Sequence, residues 1–211
     1  GTVTETIPTA AVDLRYPLSR QNGAVTHVIE PRVQLVWSPK DARVNPNEDS
    51  VQLNFEETNL FSYNRFPGFD DSERGLRANV GVSYTRYNPE GWSYGLTLGR
   101  VYRLEDLNQF GAGTGLDGRH SDYVSAITLS YRDQFDFSNR TLFDSDFSVS
   151  KNEATLAMDF VRLSTTASYI YLEQDVVAGA SDRSHEASLA LSYRRNDYWT
   201  YAGEWRQNLE T

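Results

Sequence analysis

Apolar and polar residues alternate with a period of two along most of this chain. In residues 92–99, Trp, Tyr and Leu alternate with Ser, Gly and Thr, and a similar alternation runs through residues 27–37. Successive side chains of a β-strand point to opposite faces, whereas an amphipathic helix would repeat about every 3.6 residues. The pattern therefore predicts an all-β protein whose sheet has one apolar face and one polar face.

Turn-forming residues divide the alternating pattern into about ten strands. These predicted strands span residues 10–18, 26–37, 76–88, 91–103, 121–134, 139–149, 153–162, 164–174, 185–195 and 198–207. The predicted short turns lie at 88–91, 137–139, 151–152 and 195–197, and the long connections at 38–75, 104–121 and 175–184. Short and long connections broadly alternate, which indicates an antiparallel up-and-down sheet.

Long strands with aromatic ends favour a membrane protein. Many of the predicted strands have ten residues or more, against about 5–6 in globular proteins and about 9–11 for strands that cross a bilayer. The aromatic residues near strand ends are Tyr84, Tyr87, Trp92, Tyr102, Tyr131, Tyr193, Tyr198 and Trp199. Such girdles are typical of outer-membrane barrels. We therefore expect an antiparallel up-and-down transmembrane β-barrel segment, and the alternative is a soluble β-meander binding domain.

The alternation also assigns strand residues to a face of the sheet. The residues expected to face lipid are Ala78, Val80, Val82, Leu96, Leu98, Leu189 and Leu191. The residues expected to face the lumen are Asn79, Ser83, Thr97, Ser188 and Ser192. An apolar outer face and a polar lumen are the arrangement that outer-membrane barrels share.

Composition narrows the class of partner. The formal net charge of -9 disfavours nucleic acid, which binds basic surfaces, and the chain has no cysteine for a disulfide or a thiolate metal site. No apolar run reaches the about 18 residues of a transmembrane helix. The first nine residues are polar and show no signal peptide, so we expect any exported form of this chain to be a mature or excised piece.

Candidates for catalysis or metal binding are weak in this sequence. The run His120-Ser121-Asp122 contains catalytic residue types, but neighbours on a strand point to opposite faces. The pair Asp70-Asp71 could act as paired catalytic carboxylates, but a solvated loop pair is the favoured interpretation. Glu56-Glu57 and the acidic residues of 41–49 could bind divalent cations weakly but lack the spacing of an EF-hand. We therefore predict no catalytic residue, no metal site and no cofactor.

The long connection at 38–75 carries the most specific candidate site. It contains apolar residues that a solvated loop does not need, Leu60, Phe61, Phe66 and Phe69, beside charged residues that can pair. We interpret it as a single connection with little strand that acts as a lid or fills the lumen. Substrate contact and simple exposure are the alternatives. The predicted structural residues are Asn59, Phe61, Asn64, Arg65, Phe66, Gly68, Asp70, Glu73 and Arg77.

Several motifs resemble the C-terminal barrel region of the LptD family, the lipopolysaccharide-assembly or organic solvent tolerance proteins. They are IEPRVQLVWSP, PNEDSVQLNFEETNLFSYNRFPGFDDSERGLRANVG, LGRVYRL and GTGLDGRHSDYV, within about residues 27–125. The matching positions are Glu30, Pro31, Arg32, Gln34, Asp49, Ser50, Asn59, Leu60, Phe61, Asn64, Arg65, Phe66, Gly68, Asp70, Glu73, Gly75 and Arg77.

The resemblance implies a fold and a role. It implies that residues 1–211 form one partial barrel domain of a bacterial outer-membrane translocon that inserts lipopolysaccharide into the outer leaflet. The implied partners are lipopolysaccharide, an LptE-like plug lipoprotein, outer-membrane lipid and the remaining strands of the parent barrel. The protein would be a transporter part and not an enzyme. The rival interpretation is a complete small ten-stranded barrel with hydrolase activity.

Overall fold

A computed structural model describes residues 7–41, 54–67, 71–173 and 183–209. These residues form one antiparallel sheet of eleven strands and a short 3-10 helix, Glu57–Asn59. The strands are β1 Ala10–Arg15, β2 Leu18–Asn22, β3 Val25–Ser38, β4 Gly75–Tyr87, β5 Trp92–Arg103, β6 Tyr123–Tyr131, β7 Phe135–Phe143, β8 Val149–Asp159, β9 Leu163–Leu172, β10 Ser184–Arg194 and β11 Thr200–Asn208. Within these ranges no helix is long and apolar enough to span a membrane.

The strands follow one another across the sheet in chain order, which confirms the predicted up-and-down arrangement. From β3 to β11 each strand pairs antiparallel with the next, and β1 and β2 both pair with β3 at one edge. The described strands do not close into a barrel, since β11 forms the other edge. The predicted strand at 10–18 is divided between β1 and β2, because Pro17 between them has no backbone N–H with which to continue the ladder.

The register gives the sheet two chemically different faces. Residues directly opposite each other in an antiparallel pair share a face, as Val82 and Leu98 do on one side and Gln34 and Asn79 on the other. The seven residues predicted to face lipid all lie on the first side, which we call the outer face, and the five predicted lumen residues lie on the other, the inner face.

Two of the predicted short turns are wrong. Residues 137–139 lie within β7 and residues 151–152 lie within β8, while the turns are at 132–134 and 144–148. The Asn139 and Asn152 side chains, which suggested turns, instead hydrogen-bond to each other across the two strands. In the second turn, the Asp144 carboxylate accepts hydrogen bonds from two backbone amides, a local arrangement that aspartate favours.

Two long connections fold over part of the inner face. The described residues between β3 and β4 contain the 3-10 helix and no strand, while residues 42–53 lie outside the described part. The connection from β5 to β6 returns to the sheet through a single bridge between Tyr102 and His120. A buried apolar cluster holds both connections to the sheet, and it consists of Phe55, Leu60, Phe66, Val101, Phe110, Leu116, Val124 and Leu142.

Candidate functional site

Leu60 packs directly onto bare backbone at the inner face of the sheet. Gly81 of β4 and Gly99 of β5 lie opposite each other, and both would conflict with Leu60 if they carried a side chain. A Cβ atom at Gly99 would lie 2.1 Å from Leu60 Cδ2, and one at Gly81 would lie 2.9 Å from the same atom. The glycine pair therefore forms a seat that lets the loop approach the strands closely.

A charged cluster holds the same loop beside this seat. The Glu73 carboxylate is contacted by three guanidinium groups, those of Arg65, Arg77 and Arg103, and we call these four residues the Glu73 cluster. Arg65 Nη1 donates to Glu73 Oε2 at 2.5 Å, and Arg103 Nη2 donates to Glu73 Oε1 at 3.2 Å. Arg77 Nε lies 3.5 Å from Glu73 Oε2. The four side chains are at most 3% exposed.

Backbone carbonyl groups accept further hydrogen bonds from the three arginines, while among the described residues the buried Nε atoms of Arg65 and Arg77 have no hydrogen-bond partner. Arg65 and Arg77 donate to the carbonyl oxygens of Leu60 and Tyr63 respectively. Arg103 Nη1 donates to the Leu116 carbonyl oxygen at 2.7 Å. Three cations face one carboxylate, so the carbonyl dipoles are needed to offset the remaining positive charge. The cluster thereby joins both long connections to β4 and β5.

A chain of amides extends the cluster across the inner face. Arg65 Nη2 donates to Asn79 Oδ1 at 2.8 Å, and Asn79 Nδ2 donates to Gln34 Oε1 at 2.7 Å. Gln34 Nε2 in turn donates to Asp13 Oδ2 at 3.2 Å on β1. Hydrogen bonds thus run from the loop through β4 and β3 to β1. Because Asn79 and Gln34 are almost fully buried, these bonds fix which loop conformation fits the sheet.

Two asparagines shape the loop itself. Asn64 Oδ1 accepts hydrogen bonds from the backbone N–H groups of Phe66, at 3.2 Å, and of Glu73, at 3.0 Å. Asn59 Oδ1 accepts from the Glu56 N–H at 3.1 Å at the start of the 3-10 helix. These side chains take the place of missing backbone partners in a segment without a ladder. The loop therefore has a defined shape before its contacts with the sheet are counted.

The structure brings most of the predicted site residues together. Arg65, Glu73 and Arg77 meet in the Glu73 cluster, and Phe66 stacks on Phe110 with 5.0 Å between ring centres. The ring of Phe61 lies 4.3 Å from the Arg32 guanidinium. Asn59 and Asn64 act through the hydrogen bonds just described. Gly68 and Asp70 lie outside the described residues, as does Phe69, and the ion-pair partner of Arg65 is Glu73.

Apart from Arg77, sequence reasoning missed the residues that the strands contribute to the site. They are Gln34, Asn79, Gly81, Gly99 and Arg103. All five occupy inner-face positions of the alternating pattern. The sequence offered two signals for these residues. One was the presence of an arginine and amide side chains at inner-face positions, and the other was the LGRVYRL motif, which contains both Gly99 and Arg103.

The possible catalytic run does not assemble. Ser121 Oγ donates to the Asp122 backbone oxygen at 2.7 Å, while the His120 ring packs edge-on against Tyr102. Asp122 accepts a hydrogen bond from the Ser150 hydroxyl at 2.6 Å, and burial raises the pKa of its carboxyl group. Among the described residues no group of three or more His, Asp or Glu side chains is placed to hold a metal ion.

One comparison with known proteins gives a match. A family model described as LptD, LPS transport system D, matches residues 1–199. The matched range contains β1 to β10, the glycine seat and the whole Glu73 cluster. No curated protein matches the chain.

Proposed function

Since the chain belongs to the LptD family, we propose that it forms part of the outer-membrane translocon that inserts lipopolysaccharide into the outer leaflet. Membership gives the coarser role, which is lipopolysaccharide transport and assembly at the outer membrane of Gram-negative bacteria. The finer proposal rests on the connection between β3 and β4, which we call the pinned loop. The Glu73 cluster holds two long connections against the inner face of a sheet whose outer face is apolar.

The sheet suits a position in a membrane. Its longer strands, β3 to β5, have 12 to 14 residues, which is enough to cross the hydrocarbon of a tilted barrel. Outer-face residues remain uncovered, with Leu96 46% and Leu191 44% exposed, although they are apolar. Such a largely apolar exposed surface is unfavourable in water and favourable against acyl chains. We therefore assign the outer face to lipid.

The pinned loop has a role in this proposal. The two long connections lie at the end of the sheet opposite the tight turn at 88–91, and long connections of outer-membrane barrels lie on the extracellular side. Their buried contacts would keep the extracellular end of the lumen closed around a fixed shape. We propose that the predicted loop residues act structurally, through packing, and do not contact the transported lipid.

The inner face of the last strands supports the proposed partners. In the part of the chain that the structure describes, no loop covers the sheet beyond β8, and a hollow of about 470 Å³ is lined by small and polar residues such as Ser164, Thr166, Ser192 and Glu204. Hydroxyl and carboxylate groups can bind a polar protein surface or sugars. This wall is our candidate contact for an LptE-like plug lipoprotein or for the saccharide of lipopolysaccharide. We propose no enzymatic activity.

Depletion of the full-length protein that contains this chain tests the proposed function. Newly made lipopolysaccharide should then accumulate in the inner membrane, and its amount at the cell surface should fall while other outer-membrane proteins are still inserted. Restoring the full-length protein should restore the surface amount. An unchanged surface amount after depletion would contradict the proposal.

A further inference from the structure

Three polar side chains interrupt the apolar outer face where β7 and β8 lie side by side. Asn139 and Thr141 belong to β7, and Asn152 belongs to β8. The register places them on the outer face, because Asn139 lies opposite the exposed Ile127 of β6 and Asn152 lies opposite Thr141. We call Asn139, Thr141 and Asn152 the polar notch.

The polar notch lies just beneath a row of aromatic residues. Phe143, on the outer face of β7, stacks on Tyr123 of β6 with 5.4 Å between ring centres, and it follows Thr141 by two residues on the side of the long connections. Two residues of a strand span about 7 Å, and strand tilt makes the depth smaller. Aromatic rows mark the head-group level of a bilayer. The notch therefore lies where lipid head groups join their acyl chains.

The polar notch keeps hydrogen-bonding capacity for an occupant. Thr141 Oγ1 donates to Asn139 Oδ1 at 2.9 Å, and Asn152 Nδ2 donates to Thr141 Oγ1 at 2.7 Å. Asn139 Nδ2 donates to Asn152 Oδ1 at 3.3 Å. Within the described ranges, the second N–H of the Asn152 amide has no partner. Polar groups that meet hydrocarbon without partners are costly, so a lipid that offers amide, ester or hydroxyl groups here is favoured.

Arg100 supplies a cation beside the notch, at the level of the aromatic row. Its guanidinium carbon lies 4.3 Å from the centre of the Tyr123 ring. Nε donates to the Ser121 carbonyl oxygen at 2.6 Å, and Nη2 donates to Ser145 Oγ at 2.9 Å. In the part of the chain that the structure describes, Arg100 forms no ion pair within 4 Å, and its charge acts on the nearby Asp122 carboxyl group, which hydrogen-bonds to Ser150. An arginine held this way, with Nη1 unused, suits a phosphate group.

We propose that Arg100 and the polar notch form a docking site for one phosphorylated, amide-linked glycolipid of the outer leaflet. Arg100 would bind a phosphate, and Asn152 would bind an amide or hydroxyl group of the acyl linkages. Arg100 on β5 and Asn152 on β8 lie three strands apart, which is about 14 Å across the sheet, and a diphosphorylated disaccharide lipid covers that span. Glycerophospholipids carry their ester groups next to their phosphate, so one such lipid would not reach both Arg100 and Asn152. The inference rests on the membrane position given under the proposed function.

Lipid retention by the full-length protein tests the docking site. The protein is placed in nanodiscs with equal amounts of diphosphorylated lipid A and phosphatidylglycerol, and the retained lipids are weighed by native mass spectrometry. The variants are Asn152→Leu and Arg100→Gln. The matched controls are Thr165→Leu, at an outer-face position of β9 opposite Met158, and Arg86→Gln, whose guanidinium lies 5.5 Å from the Tyr94 ring centre at the other end of the strands.

The docking site predicts that wild-type protein retains lipid A in preference to phosphatidylglycerol. Both variants should lower lipid A retention about fivefold, and both controls should retain it as the wild type does. Lipid A without phosphates should bind wild type and Arg100→Gln equally. Equal retention of the two lipids by the wild type, or wild-type retention by both variants, would overturn the site. Failure of the protein to enter nanodiscs would instead contradict the membrane position itself.

Discussion

Glu73 is the residue on which most of the loop contacts converge. Its carboxylate is fully buried among three guanidinium groups, and removing one member of a buried charge network leaves the others without compensation. The network also explains why Arg77 and Arg103 tolerate burial, since neither has solvent to stabilise its charge. The burial of these charges therefore depends on the whole set of ion pairs and not on any single one.

We expect Glu73→Gln to destabilise the folded protein by about 3–5 kcal/mol, because a neutral amide cannot balance the surrounding arginines. Glu57→Gln is the matched control, since Glu57 pairs with Arg140 at 2.9 Å while the Arg140 side chain is 44% exposed. That change should cost at most about 1 kcal/mol. Denaturant unfolding of the full-length protein in detergent measures both. Equal losses for the two variants would refute the special role of the buried carboxylate.

The carboxyl group of Asp122 gives a prediction that depends on pH. Burial raises its pKa above the ordinary 3.8, so the folded state favours the protonated form. Its contribution to stability is therefore present below the ordinary pKa and is lost as the pH rises through the raised value. We therefore expect Asp122→Asn to gain stability relative to wild type as the pH is raised from below 3.8 to neutral. Unfolding midpoints of both proteins across this range measure the effect. A difference between wild type and Asp122→Asn that does not change with pH would contradict it.

Individual residues were partly predictable from the sequence. Arg65, Phe66, Glu73 and Arg77 stood out because apolar and charged residues in a long loop need partners. Their partners did not stand out, because Asn79 and Arg103 look like ordinary polar positions of an alternating strand. A sequence shows which loop residues require burial, but not which strand positions receive them.

At the scale of elements, the approach of the loop to β4 and β5 depends on two glycines. Gly99→Ala would place a Cβ atom 2.1 Å from Leu60 and 2.8 Å from the Val80 carbonyl oxygen, and the backbone atom cannot swing aside as a side chain can. We expect a loss of about 1–3 kcal/mol, the range for overpacking. Gly203→Ala is the control, because its Cβ would meet no atom within 4 Å.

The effects of Gly99→Ala and Gly203→Ala can be measured by limited proteolysis of the loop together with the unfolding midpoint. Gly99→Ala should make the connection between β3 and β4 more readily cleaved, because Leu60 is displaced from its seat. Gly203→Ala should leave cleavage unchanged. Wild-type cleavage and stability for Gly99→Ala would mean that the loop does not need this close approach.

The two faces of the strands give a second prediction at this scale. Leu96 lies on the outer face opposite Tyr84 and Ile127, whereas Thr97 lies on the inner face opposite Ser83. Arginine in contact with lipid near the middle of a bilayer costs about 2–4 kcal/mol. Leu96→Arg should therefore lower the yield of folded full-length protein in a lipid-folding assay much more than Thr97→Arg. Equal yields of folded protein for the two variants would contradict the assignment of Leu96 to the outer face and Thr97 to the inner face.

Strands were easier to predict than turns for a physical reason. The alternation of faces repeats along each strand and gives many independent signals, so all predicted strands correspond to observed ones. The predicted turns at 137–139 and 151–152 were wrong because each rested on a single asparagine. Asparagine favours a turn only when its side chain bonds locally, and here Asn139 and Asn152 bond across strands instead.

At the scale of the whole molecule, the sheet is divided by its inner face. Among the described residues, loops cover the inner face from β3 to β7 and enclose the buried core, whereas they leave the hollow at β9 to β11 uncovered. The pinned loop lies on the first part and the proposed partners would contact the second, while the family match spans both parts up to residue 199. This division was not predicted, because the inner face was expected to be polar throughout, although Val101, Val124 and Leu142 of its covered part are apolar.

The central claim is that lipopolysaccharide transport requires the loop to be pinned to the inner face by the Glu73 cluster. The most direct test is the amount of newly made lipopolysaccharide that reaches the cell surface when the only copy of the full-length protein carries Arg65→Ala or Phe66→Ala. Arg140→Ala, which breaks only the exposed pair with Glu57, is the matched control. The level of folded barrel and the permeability to large antibiotics are measured in the same cells.

Arg65→Ala should remove an ion pair, a bond to Asn79 and a bond to the Leu60 carbonyl in one step. We therefore predict less surface lipopolysaccharide and higher antibiotic permeability for Arg65→Ala and Phe66→Ala, with wild-type values for Arg140→Ala. Wild-type values of folded level, surface lipopolysaccharide and permeability for both loop variants would contradict the claim and leave the loop as an exposed connection.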